Sequence, residues 1–343
     1  MTAPQIVTVT VAGAIDATYR VAELRHGELM RAQSYMREVS GKGVNVSAAL
    51  ALAGHDTSAV VVLGEDDVEF ARRSDPGGIL QIVAIAGATR VNTAFIDDAG
   101  ATTKVNSPAP AIPRDTWEAV VAATENMWGE VTSPHAEVAK ARDASSWLVI
   151  AGTLPLVHGE KVRPDVAVLS ERARARGVRV ALDTSGQALA DLVSDPHGIT
   201  LIKPNAEELA ELTGRSLQTI SDVVEAAREV ISRGLEAVYA SLGADGVLVV
   251  TPTFTIHARA EARRVANTAG AGDASLAGFF VGLAGRALTD EDALADAAET
   301  AAVWGAHAVA HDKTVMSSLE NLPIAFVTRE PDAALPLREP AFV

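Results

Sequence analysis

The chain is expected to fold as an α/β protein around a mainly parallel central sheet, with a small β-sheet lid beside it. Three observations predict this. From about Arg114 onward, short β-branched runs alternate with helical stretches, the pattern of βαβ units. Aromatic residues make up only 4% of the chain, so its core must come mainly from Val, Leu, Ile and Ala. That composition suits a buried parallel sheet covered by Ala-rich helices. Before Arg114, charged and hairpin-like segments do not fit such a sheet and supply the lid.

Taken in order, Ile6–Val11 (IVTVTV) is β-branched throughout and reads as a first, buried strand. Thr18 to Val39 is rich in charge and reads as two or three short exposed strands. Gly43–Gly54 has helical spacing, with Val44, Ala48 and Leu52 on one face, and Ala59–Leu63 is a strand. Val91–Ile96 and Thr102–Val105 flank the turn Asp97-Asp98-Ala99-Gly100, a hairpin signal. Glu125–Ala139 is irregular and reads as an insertion. Further strands are expected at Trp147–Ala151, Val178–Leu182, Ile199–Ile202, Ala237–Ser241 and Val247–Val250. Helices are expected at Asp165–Arg176, Ala206–Leu212 and Leu217–Ser232, with Ala271–Ala284 and Asp290–His311 as a closing pair. The organisation expected is one domain over 1–327, with lid strands drawn from about 17–40 and 91–106. Residues 328–343, charged and then proline-containing, read as a tail that packs weakly or frays.

Bulk properties narrow the chemistry. Net charge is −15 and no basic stripe is present, which argues against a nucleic-acid partner. With no cysteine among 343 residues, disulfides, thiolate catalysis and Cys-ligated zinc are excluded. No secretory signal is evident, and no apolar run reaches the roughly 20 residues that span a bilayer. A cytoplasmic protein without a membrane partner is expected.

Four segments carry candidate chemistry. The strongest is Asn267-Thr-Ala-Gly-Ala-Gly-Asp273, where small residues lead into a helix bearing an acid in its first turn. Unpaired N–H groups at a helix start make an anion site, and glycines allow close backbone approach. An acid there would repel a phosphate unless it accepts the proton of an attacking hydroxyl during phosphoryl transfer. It serves equally well as a simple charge on the first helical turn. Ser40-Gly-Lys-Gly-Val-Asn-Val46 again places glycines at a helix start; Lys42 could meet a phosphate and Asn45 sugar hydroxyls, or the segment is only a turn with a solvated lysine. Its spacing is not that of a P-loop. Lys203-Pro-Asn-Ala-Glu-Glu208 has the spacing of a capping box, or alternatively organises Mg²⁺ and its waters. Ser241-Leu-Gly-Ala-Asp-Gly246 is a tight turn between strands, or a nucleotide loop at the carboxyl end of a sheet.

In this order the segments resemble the PfkB (ribokinase-like) carbohydrate kinases, closest to the branch of 1-phosphofructokinase and tagatose-6-phosphate kinase. The resemblance runs from about Ile6 to His311, and is also carried by Ala14-Ile-Asp16, Thr89-Arg-Val-Asn92, Gly152-Thr-Leu-Pro155 and Leu182-Asp-Thr-Ser-Gly186. It implies a three-layer ribokinase-like sandwich and ATP-dependent phosphorylation of a sugar phosphate, a fructose phosphate first and tagatose 6-phosphate second. Asp273 is then the base, and the amides of Gly270, Ala271 and Gly272 form the anion hole. Asp16, Gly41 and Asn45 bind the sugar, while Lys42, Arg90 and Thr153 lie near its phosphate. Lys203, Asn205, Ser241, Gly243 and Gly246 face ATP, and Glu208 holds Mg²⁺ through water. The lid is implied to pair two subunits into a homodimer. Departures from the family pattern fall mostly on the sugar side: Ala12-Gly13 replaces Asn-Pro, Ser40 replaces Gly, and Ala151 and Thr153 each replace Ser. Asn267 and Ala274 also stand where Ser is usual.

Two other readings are weaker. A dinucleotide-binding dehydrogenase would need Gly-x-Gly-x-x-Gly directly after the first strand, where Ala12-Gly-Ala-Ile-Asp16 stands. A binding protein without turnover would be favoured by loss of the late acid, which is present as Asp273.

Overall fold

The computed structural model describes residues 5–75, 77–128 and 146–342. The first half contains β1 (Ile6–Thr10), β2 (Ala14–Arg20), β3 (Ser34–Ser40), α1 (Lys42–Leu52), β4 (Thr57–Gly64) and α2 (Val68–Arg73). It continues with β5 (Leu80–Ile85), β6 (Val91–Ile96), β7 (Thr102–Asn106) and α3 (Arg114–Met127). Next come β8 (Trp147–Ala151), α4 (Val166–Ala175), β9 (Arg179–Asp183), α5 (Gly186–Ser194), β10 (Leu201–Ile202) and α6 (Ala206–Thr213). They are followed by β11 (Leu217–Thr219), α7 (Ile220–Ile231), β12 (Ala237–Ser241), β13 (Val247–Val250) and β14 (Thr255–Ala260). The last are α8 (Ala271–Leu283), α9 (Glu291–Ala308), β15 (Ala325–Arg329) and β16 (Pro336–Ala341).

Ten strands form one sheet in the order β15-β14-β13-β12-β10-β9-β8-β1-β4-β5. From β12 to β5 every pairing is parallel. The hairpin-connected β13 and β14, and then β15, extend it antiparallel. The continuous apolar runs have the reason expected of strands buried on both faces. Along β1, Val7 and Val9 turn toward a layer holding α3, α4, α5, α6 and α7. Ile6 turns toward α1, α8 and α9 on the other side. The result is helix, sheet and helix in three layers, as the sequence implied.

Four strands in the order β3-β2-β6-β7 form the smaller sheet. The hairpin read from Asp97–Gly100 joins β6 and β7 antiparallel, and β2 lies parallel to β6. Within β2 and β3, Asp16 faces Glu38 and Tyr19 faces Tyr35.

Three expectations need adjustment. Leu217–Ser232 is not one helix: Leu217–Thr219 is a strand, and α7 begins only after Thr219. Thr219 and Asp222 make a reciprocal capping box that fixes the change of direction. Residues 328–342 do not form a loose tail. Residues Thr328 and Arg329 end β15 on the main sheet, and β16 pairs with β11. Leu337 and Ala341, four apart and therefore on one face of the strand, are buried. Two prolines are tolerated because β16 is an edge. Of the irregular stretch 125–139, Glu125–Met127 close α3, and residues 129–139 lie outside the described residues. No helix among the described residues is long and apolar enough to cross a membrane.

Candidate active site

The start of α8 sets the centre. Gly270 caps it at φ 77°, and the Thr314 carbonyl lies so close over its Cα that a side chain has no room. The first-turn N–H groups of α8 are therefore left open to an anion. Asp273 stands in that first turn and is buried. Its Oδ2 accepts from Asn45 Nδ2 of α1 at 2.8 Å. Asn45 Oδ1 is buried and, among the described residues, has no hydrogen-bond partner. Burial, and then the charge of Asp183, push the Asp273 carboxyl up to about 6, against Asn45, Lys42 and Lys203.

Asp183, at the carboxyl end of β9, is fully buried. Lys42 Nζ reaches its Oδ1 at 2.7 Å and Lys203 Nζ its Oδ2 at 3.2 Å. Burial alone would raise its carboxyl; Lys203 and Lys42 outweigh that and hold it below the ordinary range. Burial likewise pulls Lys42 down, but Asp183 overrides it, with Asp273 and Glu208 adding, and the ammonium ends above its usual value. A Cβ on Gly272 would sit 3.5 Å from Lys203 Nζ. Two ammonium groups thus converge on Asp183 beside the start of α8.

On the neighbouring side, Asn205 caps α6: its Oδ1 accepts from the Glu208 amide at 2.7 Å, and Glu208 Oε2 accepts from the Asn205 amide at 2.9 Å. The capping box read from sequence is formed in full. The Ser241 amide donates to Pro204 O at 2.9 Å, joining the end of β12 to that cap. Gly243 and Gly246 bracket the tight turn that follows. Among the described residues no cluster of three His, Asp or Glu could hold a metal by itself. Mg²⁺ commonly takes one or two carboxylates with phosphates and waters, and Glu208, close enough to raise Lys42, fits such an indirect place.

A cavity of about 380 Å³ opens between lid and α1, lined by Asp16, Glu38, Ser40, Asn45, Lys313 and Thr314. Asp16 accepts from Asn92 Nδ2 at 3.0 Å and from Thr314 Oγ1 at 3.4 Å. Glu38 is pushed up by burial and by Asp16, with Lys313 opposing. Gly41 precedes α1 at φ 142°, packed on Thr10.

The residues implied for the sugar phosphate are split rather than gathered. Lys42 faces Asp183. Arg90 donates to Ala12 O, Gly13 O, Ser107 O and Asn92 Oδ1, leaving one Nη2 hydrogen uncommitted among the described residues. Thr153 is exposed after β8, next to Gly152 and near Lys42. Sequence reasoning quoted Asp183 without giving it a role, and missed Glu38, Lys313 and Thr314. An acid closing the apolar run Val180–Leu182 was the available signal for Asp183. Nothing local marks the other three.

A three-layer α/β fold with a glycine-capped helix start, a buried acid in its first turn and two lysines nearby is the arrangement an ATP-dependent carbohydrate kinase needs. The chain belongs to the pfkB family carbohydrate kinases, whose model matches residues 7–309. It is 35% identical to a 1-phosphofructokinase of Haloferax volcanii over 296 residues, covering 84% of this chain and 87% of that one. With a 1-phosphofructokinase of Rhodobacter capsulatus it shares 33% identity over 280 residues, 80% and 83% of the two chains. The solved structure of phosphofructokinase-2 from Escherichia coli superposes with a TM-score of 0.76 at 25% identity, covering 92% of this chain and 96% of that one. The fold is ribokinase-like, as the sequence resemblance implied.

Proposed function

We propose that the chain transfers the γ-phosphoryl group of ATP to a free hydroxyl of a fructose phosphate, fructose 1-phosphate first, with Asp273 as the general base. One observation carries this: a buried carboxyl raised to about 6 beside an amide oxygen that has no partner among the described residues. A base poised near neutrality takes the acceptor's proton as the oxygen attacks. The α8 amides, Lys42 and Lys203 meet the charge of the transferring group. Asp16, Asn45 and Gly41 hold the sugar; Lys203, Asn205, Ser241, Gly243 and Gly246 face ATP, with Mg²⁺ carried by the phosphates and Glu208 acting through water.

We assign the acceptor phosphate to Arg90; its remaining hydrogen and its closeness to Asp16 support that reading. Lys42 feels Asp183, Asp273 and Glu208 and suits the transferring phosphoryl instead. A screen of ATP consumption over fructose 1-phosphate, fructose 6-phosphate, tagatose 6-phosphate, fructose, ribose and nucleosides, with product position mapped, tests the reading. We expect Arg90→Ala to lower kcat/KM for phosphosugars by at least tenfold more than for fructose. Lys42→Met should instead depress all acceptors alike. Equal losses in Arg90→Ala would count against its phosphate role.

The lid face turned away from the cleft carries Tyr19, Tyr35 and Phe95, ring to ring at 4.7 and 5.5 Å. Tyr35 is 52% exposed and Val105 59%. We propose that this face pairs with a second copy of the chain, since an aromatic stripe gains most from being covered. Sedimentation should show a dimer, and Tyr35→Asp a monomer; an unchanged oligomer in that variant would sink the lid interface.

A further inference from the structure

The C-terminal strand lies beyond residues 7–309, the part matched by the family, yet it reaches the turn assigned to the nucleotide. The amides of Ile220 and Ser221 donate to Leu335 O and Ala333 O, which ties the segment to the start of α7. β16 then pairs with β11 through Leu217 and Ala341. Between these anchors, the Arg338 amide donates to Asp245 Oδ2 at 2.6 Å. Asp245 is buried in the turn Gly243–Asp245, and its carbonyl accepts from His257 Nε2 at 2.7 Å. The Glu339 carboxylate lies over Gly243, on the side where a Cβ would project. The turn is thus held by a strand far along the chain, Arg338 lying 93 positions after Asp245.

We propose that the C-terminal strand is a built part of the nucleotide site, clamping the Gly243–Gly246 turn through Asp245, a positioning residue for ATP. Backbone amides can hold a polyphosphate only if they are aimed before it arrives. An anchored carboxylate accepting the Arg338 N–H fixes the turn from behind, and Glu339 closes its Gly243 side. The proposal rests on the reading that this turn faces ATP.

The test compares Arg338→Pro, Arg338→Ala and a chain ending at residue 332. Proline removes the backbone donor, which faces Asp245 and lies outside the Leu217–Ala341 and Thr219–Pro336 pairs of the ladder. Arg338→Pro and the truncated chain should raise KM for ATP about tenfold, with KM for fructose 1-phosphate and kcat at saturating ATP within twofold. Arg338→Ala keeps the backbone donor and loses only the outlying ion pair of Arg338 Nε with Asp245 Oδ1 at 3.6 Å, so it should restore most of the ATP constant. An unchanged KM for ATP in Arg338→Pro, or equal rises for both substrates, overturns the clamp. Amide exchange of residues 243–246 in the full chain, with and without a non-hydrolysable ATP analogue, separates the two layers. No protection there refutes the assignment of the turn to ATP, and the clamp with it. Protection with a normal KM in Arg338→Pro refutes the clamp alone.

Discussion

Asp273→Asn should remain folded and bind ATP while its kcat falls by about 10²–10⁴, the span that a positioned general base supplies. Asparagine keeps the shape and can still accept from Asn45, so the loss isolates proton acceptance from packing. In the unaltered chain kcat/KM should fall as pH drops through about 6, where the base becomes protonated. Stability moves oppositely. The folded carboxyl is raised above its unfolded value, so ionised Asp273 costs stability above pH 6 and the cost fades as pH falls toward 4. The asparagine variant should therefore be more stable at pH 8, by about 1–3 kcal/mol, and lose that gain in acid. Steady-state kinetics and urea melts at both pH values check this. Near-normal phosphorylation by the variant would refute the base.

Asp183→Ala should destabilise the fold by about 3–5 kcal/mol, because it leaves Lys203 buried without its counter-charge and frees Lys42 as well. Two ammonium groups then repel across an empty space. ATP should recover part of the loss, since phosphate oxygens can take the vacated place. Denaturant midpoints with and without ATP would show it. A midpoint unchanged from the parent chain would mean that Asp183 does not hold the lysines together.

Much of the fold was legible because buried parallel strands announce themselves as β-branched runs, as IVTVTV does for β1. The short α5 and the antiparallel β14 were not read. Neither has a long periodic stretch, and β14 takes its place from β13 and β15. Strand β11, three residues long, hides at the head of a helical pattern until β16 pairs with it. The site divides in the same way. Asp273, Asn45, Lys42 and Lys203 sit beside glycine- or proline-marked turns, so their neighbourhood was readable one segment at a time. Their meeting at Asp183 was not, because it joins β9 to residues 141 positions earlier and 20 later. Glu38 becomes a partner of Asp16 only through the β2–β3 register. Lys313 and Thr314 arrive from the loop after α9.

Thr314 occupies an unusual junction: its hydroxyl donates to Asp16 at the foot of the lid, and its carbonyl sits over Gly270 at the start of α8. Under the proposed function, one residue therefore touches both the acceptor side and the transfer side. On that reading a change in this loop disturbs transfer as well as acceptor choice. Glu38 on β3 instead meets Asp16 only across the β2–β3 ladder, so on the same reading acceptor preference can change there while the start of α8 stays as it is.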